Sequence, residues 1–157
     1  MRTIDPLDAQ AKRLVDATNI LAISTFVPAV DQYPFLKQCN PNDWDFFATV
    51  ASVQVGIANL LHSVSSERFK LLYPIIAAAL HKWNPQGEDA VRDCQAFIRR
   101  SLNHRSVAAE NILPTDALGM WVIWNLLRRT PTREEASASR GIGGALATPI
   151  QDWWESK

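Results

Sequence analysis

The sequence contains only two cysteines, Cys39 and Cys94, and no excess of either charge. The cysteines are far apart and form no CxxC pair, which argues against a disulfide framework or a cysteine-based zinc site. Sixteen basic residues balance sixteen acidic ones. That balance argues against a dedicated nucleic-acid binder, because such proteins carry a basic surplus. It also removes the charge repulsion that keeps monomers apart in solution.

Targeting and catalytic signatures are also scarce. The first residues, MRTIDPLDAQAKR, contain no apolar run that could serve as a signal peptide. Together with the unpaired cysteines, this predicts a reduced, cytoplasmic protein. The chain has no GxSxG, no P-loop and no glycine-rich loop between a strand and a helix. It also has no HxxxH or ExxH pair, so we expect neither a cofactor nor a metal site.

Helical signals follow one another along the chain, and no segment predicts a strand. Asp5-Pro6, Asn42-Asp43, Ser65 and Pro114 are typical helix starts. Apolar residues recur at helical spacing between them. The sequence therefore predicts an all-α, single-domain bundle of five to six helices. Residues 1–140 are expected to form the bundle, and residues 141–157 a C-terminal arm of the same domain.

The stretch FFATVASVQVGIANLLHSVSS, residues 46–66, contains no charged residue. Its length suits a transmembrane helix, which needs about 20 residues. However, Gln54, Asn59 and His62 would be left unsatisfied in hydrocarbon, and neither flank is rich in lysine or arginine. We therefore predict no membrane span but the most buried helix of a bundle, with Leu61 in its core.

Small and uncharged residues form a seam along this predicted helix. Their spacing of 3, 4, 3 and 4 places them on one face: Thr49, Ser52, Gly56, Asn59 and Ser63. One interpretation is close helix packing, within the monomer or across a dimer axis. The other is the wall of a ligand pocket, for which the candidate ligand-binding residues are Gln54, Asn59, His62 and Trp121.

The C-terminal segment combines glycines with tryptophans. Gly141, Gly143 and Gly144 predict a flexible hinge, and Trp153 and Trp154 follow it. Solvent-exposed tryptophans would leave a large apolar area in water, so at least one is expected to dock. The candidate interaction residues are therefore Trp153, Trp154 and Gly56. The arm could dock on its own bundle, on a second subunit or on another protein.

One pair of residues suggests an enzyme. Arg99 and His104 read R-x4-H, which is similar to the active-site motif of the HEPN ribonucleases, small helical dimers. That resemblance implies metal-independent RNA cleavage by the arginine and histidine of two facing protomers. The similarity is confined to these two residues, and Arg100 stands where the family has a small polar residue.

The sequence thus predicts a non-catalytic helical binding or protein-interaction module. We expect a homodimer, with a small apolar ligand pocket as a further possibility. The alternative is a small helical enzyme, in its most concrete form a ribonuclease of the R-x4-H kind. An enzyme should show titratable groups that converge on a polar pocket.

Overall fold

The structure, a computed structural model, describes residues 5–103 and 113–155. They form an all-α bundle, as predicted, and these residues contain no strand. Six α-helices have nine residues or more, and a seventh, α6, is a single turn. The helices are α1 Pro6–Gln32, α2 Pro41–Ser63, α3 Ser66–Trp83, α4 Gly87–Asn103, α5 Pro114–Leu127, α6 Arg133–Ala136 and α7 Ser139–Ala147. Short 3-10 turns lie at Pro34–Gln38, Thr148–Ile150 and Trp153–Glu155.

Side-chain caps define where the helices begin. Asp5 accepts a hydrogen bond from the backbone nitrogen of Leu7, and Ser65 accepts one from the backbone nitrogen of Arg68. These bonds satisfy amide groups that the first turn leaves without a partner. A proline inside a helical pattern favours an end, a kink or a split, which predicts that α1 frays near Pro28 and that α3 is kinked or split at Pro74. Both helices continue past their prolines, so α1 does not end at Pro28 and α3 is not split at Pro74.

Helix α2 lies at the centre of the bundle. It packs against all five of the other long helices and has ten buried residues, more than any other element. Two described helices, α1 and α2, are long and apolar enough to cross a membrane by length and composition alone. More than half of the apolar window of α2 is buried by protein, as expected of a core helix.

Helix α2 does not bury the side chain that the sequence indicated. Leu61 was predicted in the core, yet it is 57% exposed, whereas its neighbour Leu60 is fully buried. The stretch is apolar on nearly every side, so periodicity could not separate the buried face from the exposed one.

The two leucines therefore provide a matched test of this arrangement. Leu60→Ala should lower the free energy of unfolding by about 2–5 kcal/mol, because it leaves a cavity in the core. Leu61→Ala should change it by less than about 0.5 kcal/mol, as expected at a surface position. Chemical denaturation of both variants measures the difference, and equal losses would contradict the placement of α2.

The C-terminal glycines lie inside a helix and do not form a hinge. Gly141, Gly143 and Gly144 all belong to α7, which packs lengthwise on α5. A Cβ atom built on Gly143 would lie 1.8 Å from the carbonyl oxygen of Thr115 in α5. The hinge prediction was therefore wrong, because all three glycines are helical and Gly143 lets the backbones of α5 and α7 touch. The predicted boundary after residue 140 falls inside α7.

Candidate functional site

The small-residue seam of α2 is covered by the C-terminal part of the same chain. The hydroxyl of Ser52 donates to the carbonyl oxygen of Leu146 in α7 at 3.1 Å. Further along the seam, the amide of Asn59 donates to the carbonyl oxygen of Gln151 at 2.8 Å. The seam therefore packs helices and turns within one chain, which was one of its two interpretations.

The two C-terminal tryptophans anchor these turns. Trp154 is buried, and its indole nitrogen donates to the carbonyl oxygen of Gly56 at 2.7 Å. The indole nitrogen of Trp153 donates to the carbonyl oxygen of Gln10 at 3.1 Å, and the Gln10 amide donates back to the carbonyl of Trp153. Trp153, Trp154 and Gly56 thus make contacts within the chain. Their role in contacts between chains stays a prediction.

The four candidate ligand-binding residues do not meet at one site. Asn59 holds the C-terminal turn, and His62 is exposed at the end of α2. Gln54 is half-buried, and its amide oxygen is buried without a hydrogen-bond partner among the described residues. Trp121 is buried in α5 and lines a cavity between other elements. Neither of the two cavities described below, both lined by described residues, joins all four.

The larger cavity is a groove of about 800 Å³ between α1 and the second half of α3. Its volume lies in the range of ligand pockets. The apolar lining consists of Val15, Pro74, Ile75, Ala78, Ala79 and Trp83, and the charged lining residues are Lys12, Asp16 and Lys82. Within the described residues, none of these three charges forms an ion pair.

Exposed apolar side chains extend this groove on both helices. On α1, Ile20, Ile23 and Val27 are 67%, 56% and 65% exposed, and they follow Asp16 at spacings of 4, 3 and 4. On α3, Leu71 is 61% exposed and lies three residues before Pro74, on the same side of the helix. We call Ile20, Ile23, Val27, Leu71 and the groove lining the α1/α3 face.

The sequence reading missed this face, although a signal for it exists. Leu14 is fully buried in α1. At 100° per residue, Ile20 and Ile23 lie roughly 240° and 180° around the helix from Leu14. A helix with apolar residues on two opposite sides either is buried on both or presents one to solvent. Helix α1 does the latter.

The second cavity, of about 430 Å³, lies where α2, the start of α4 and α5 meet. Phe46, Phe47 and Trp121 contribute aromatic rings to its lining, and Asp89 and Asp93 contribute carboxylates. The indole nitrogen of Trp121 donates to a carboxylate oxygen of Asp93 at 2.9 Å. We call this cavity the Trp121 pocket.

Among the other titratable groups, Glu135 has a structural partner and both cysteines are buried. Arg129 donates two hydrogen bonds to Glu135 at 2.7 and 2.8 Å, which lowers the pKa of that carboxyl to about 2. Burial raises the pKa of both the Cys39 and the Cys94 thiol, so neither is a ready nucleophile. No group of three or more potential metal ligands occurs within residues 5–103 and 113–155.

The R-x4-H pair cannot be assembled from the described residues. Arg99 is exposed in the last turns of α4, and His104 lies outside the residues that the structure describes. The described residues therefore provide no geometric support for the ribonuclease hypothesis.

The chain matches no protein-family model, no curated protein and no solved structure. Any function proposed for it therefore depends on the geometry of its own surfaces and cavities.

Proposed function

We propose that the protein is a non-catalytic binding module that forms a homodimer through the α1/α3 face. The observation that carries this proposal is the exposure of Ile20, Ile23, Val27 and Leu71 beside an apolar groove. Burial of such a side chain is worth about 1.5–3 kcal/mol. Exposed apolar side chains that cluster along one helix, as Ile20, Ile23 and Val27 do, are a feature of interaction sites on soluble domains.

The charges of the groove favour a second copy of the chain as the occupant. In a twofold-symmetric interface, residue i of one subunit meets residue j of the other, and j meets i. Lys12 and Asp16 line the same groove wall with opposite charges. A twofold axis between them would pair each lysine with the aspartate of the other subunit. The net charge of zero adds no repulsion between copies.

The α2 seam and the C-terminal tryptophans, the interfaces that the sequence suggested, are occupied within the chain, so we place the dimer contact on the α1/α3 face. The seam of α2 and both C-terminal tryptophans are engaged within the chain. Two free, buried cysteines agree with a reduced cytoplasmic setting, which belongs to the same proposal.

Sedimentation velocity of the full chain tests the dimer. The wild type should sediment as a dimer at micromolar concentration. The double variant Ile23→Asp/Val27→Asp should raise the dissociation constant at least about a hundredfold, because it buries two unpaired charges per subunit. Trp124→Glu, on α5 and 43% exposed, is the control and should leave the dimer intact. Circular dichroism checks that each variant keeps its helices.

A charge exchange tests the symmetric pairing itself. Lys12→Glu should weaken the dimer by about two- to tenfold, since each ion pair is worth little at a surface. The double exchange Lys12→Glu/Asp16→Lys should restore it, because the pairing then recurs with the signs reversed. A wild type that remains monomeric at tens of micromolar would refute the proposal, as would a dimer that the double aspartate variant leaves unchanged.

A further inference from the structure

The Trp121 pocket has a lining of unusual chemistry that the proposed dimer does not use. Of the eight residues that line it, three are aromatic, two are acidic and none is basic. Gln86 and Asn125 add amide groups, and the Asn125 amide nitrogen donates to the carbonyl oxygen of Trp121 at 2.8 Å. The pocket opens to solvent beside α4, so a small ligand can reach it.

The aromatic rings are held in place by one another. Phe47 meets Trp121 edge to face, with 5.5 Å between ring centroids. Phe46 meets Phe47 at 5.1 Å in the same manner and stacks on Trp83 at 5.6 Å. The hydrogen bond from Trp121 to Asp93 fixes the plane of the indole. The aromatic wall is therefore formed before any ligand arrives, which reduces the entropy that binding costs.

The carboxylates add negative charge beside this wall. Asp89 belongs to the first turn of α4, where the positive end of the helix dipole offsets part of its charge. Asp93 lies one turn further along, where the dipole effect has declined. Arg92, between them in sequence, is bound by Glu88 at 2.7 Å. Arg92 also interacts electrostatically with Asp89, but it lies outside the lining, which contains no basic side chain.

We propose that the Trp121 pocket binds a small organic cation that carries a trimethylammonium group. Aromatic faces attract such a cation through their quadrupole, and adjacent carboxylates add a Coulombic attraction. The three aromatic rings of the lining offer no ligand atoms to a metal ion, whereas they suit an organic cation. An apolar ligand would gain nothing from the two carboxylates, whereas a cation is attracted to them. The mixture of rings and acids thus selects a bulky cation that is weakly hydrated.

Isothermal titration of the full chain with choline tests this site against a neutral ligand of the same shape. The ligand 3,3-dimethyl-1-butanol replaces the charged nitrogen of choline by carbon and keeps the volume. Choline should bind at least about tenfold more tightly than this alcohol, because only choline gains the cation–π and Coulombic terms. Equal affinity for the two ligands, or no choline binding at millimolar concentration, would refute the proposal.

Variants then assign the binding to the pocket. Asp89→Asn should weaken choline binding at least about threefold by removing one charge, and Phe47→Leu should weaken it by removing a ring while keeping an apolar side chain. Asp152→Asn, which removes an exposed carboxylate outside the pocket, should have no effect. Unchanged affinity in both pocket variants would place the binding elsewhere and overturn the assignment.

The test of choline binding can be separated from the test of the proposed dimer. Ile23 and Val27 are not among the residues that line the Trp121 pocket. The Ile23→Asp/Val27→Asp variant should therefore bind choline with the affinity of the wild type. A loss of binding in this variant, with its helices intact, would contradict a pocket formed within one chain.

Discussion

Alanine at Gly143 is expected to destabilise the protein by about 3 kcal/mol or more, because overpacking between two backbones cannot be relieved by rotation of a side chain. The added methyl group would lie 1.8 Å from the carbonyl oxygen of Thr115. Gly119 on the facing helix has the same relation to the carbonyl oxygen of Ser139, also at 1.8 Å. Each glycine thus fits against the backbone of the opposite helix, and α5 and α7 must separate to admit either alanine.

The next residue of the same helix provides the control. A Cβ atom on Gly144 would meet nothing within 4 Å. Gly144→Ala should therefore be neutral or should stabilise by up to about 1 kcal/mol, since alanine favours the helix over glycine. Urea denaturation followed by circular dichroism compares the two variants. Similar unfolding midpoints for Gly143→Ala and Gly144→Ala would show that α5 and α7 are not in backbone contact.

Removal of the Trp154 side chain is expected to cost about 3–5 kcal/mol, the range for a large buried aromatic residue. Trp154 is 7% exposed, and its indole donates to the carbonyl oxygen of Gly56. Trp154→Phe retains an aromatic ring and loses the donor. It should therefore lower the free energy of unfolding by less than Trp154→Ala does. Of this loss, about 1–3 kcal/mol comes from the carbonyl of Gly56, which is left without its hydrogen-bond donor.

Trp124→Ala is the matched control for this experiment, because Trp124 has the same side chain but is 43% exposed. In thermal unfolding, Trp154→Ala should have the lowest unfolding temperature and Trp154→Phe an intermediate one. The unfolding temperature of Trp124→Ala should be nearest to that of the wild type. If Trp154→Ala unfolds at the same temperature as Trp124→Ala, the C-terminal turns do not hold the seam of α2.

Much of the architecture could be predicted, because its signals are local. Asp5 and Ser65 begin α1 and α3 as their cap preferences indicate. The central position of α2 follows from an uncharged stretch that needs apolar neighbours on most sides. These features depend on residues a few positions apart, and short-range physics determines them.

The predictions from sequence were wrong where one residue type can serve two physical purposes. A glycine frees the backbone to bend, and it also lets another backbone come close. Gly143 carries out the second role only because Gly119 faces it across 24 positions of sequence, which no local pattern reveals. Leu60 and Leu61 differ in burial for a similar reason, since their neighbours are supplied by distant helices.

The four candidate ligand-binding residues were predicted one at a time, and the structure does not bring them together at one site. Trp121 does line a cavity, but its neighbours there come from α2 and α4, not from the seam. The amide of Asn59 was read as a ligand contact, whereas it binds the chain's own carbonyl at Gln151. Polar groups on a buried helix require partners, and sequence alone does not show whether a ligand or the protein supplies them.

The closure of the seam by the C-terminal turns has a consequence for biosynthesis. Ser52 and Leu146 are 94 positions apart, and Gly56 and Trp154 are 98 positions apart. At a ribosomal rate of about 5–20 residues per second, α2 waits roughly 5–20 s for its cover to be translated. During that interval the nascent chain presents the seam to water and to other proteins. Synthesis of α7 and the turns that follow it therefore decides when the seam of α2 is protected from aggregation.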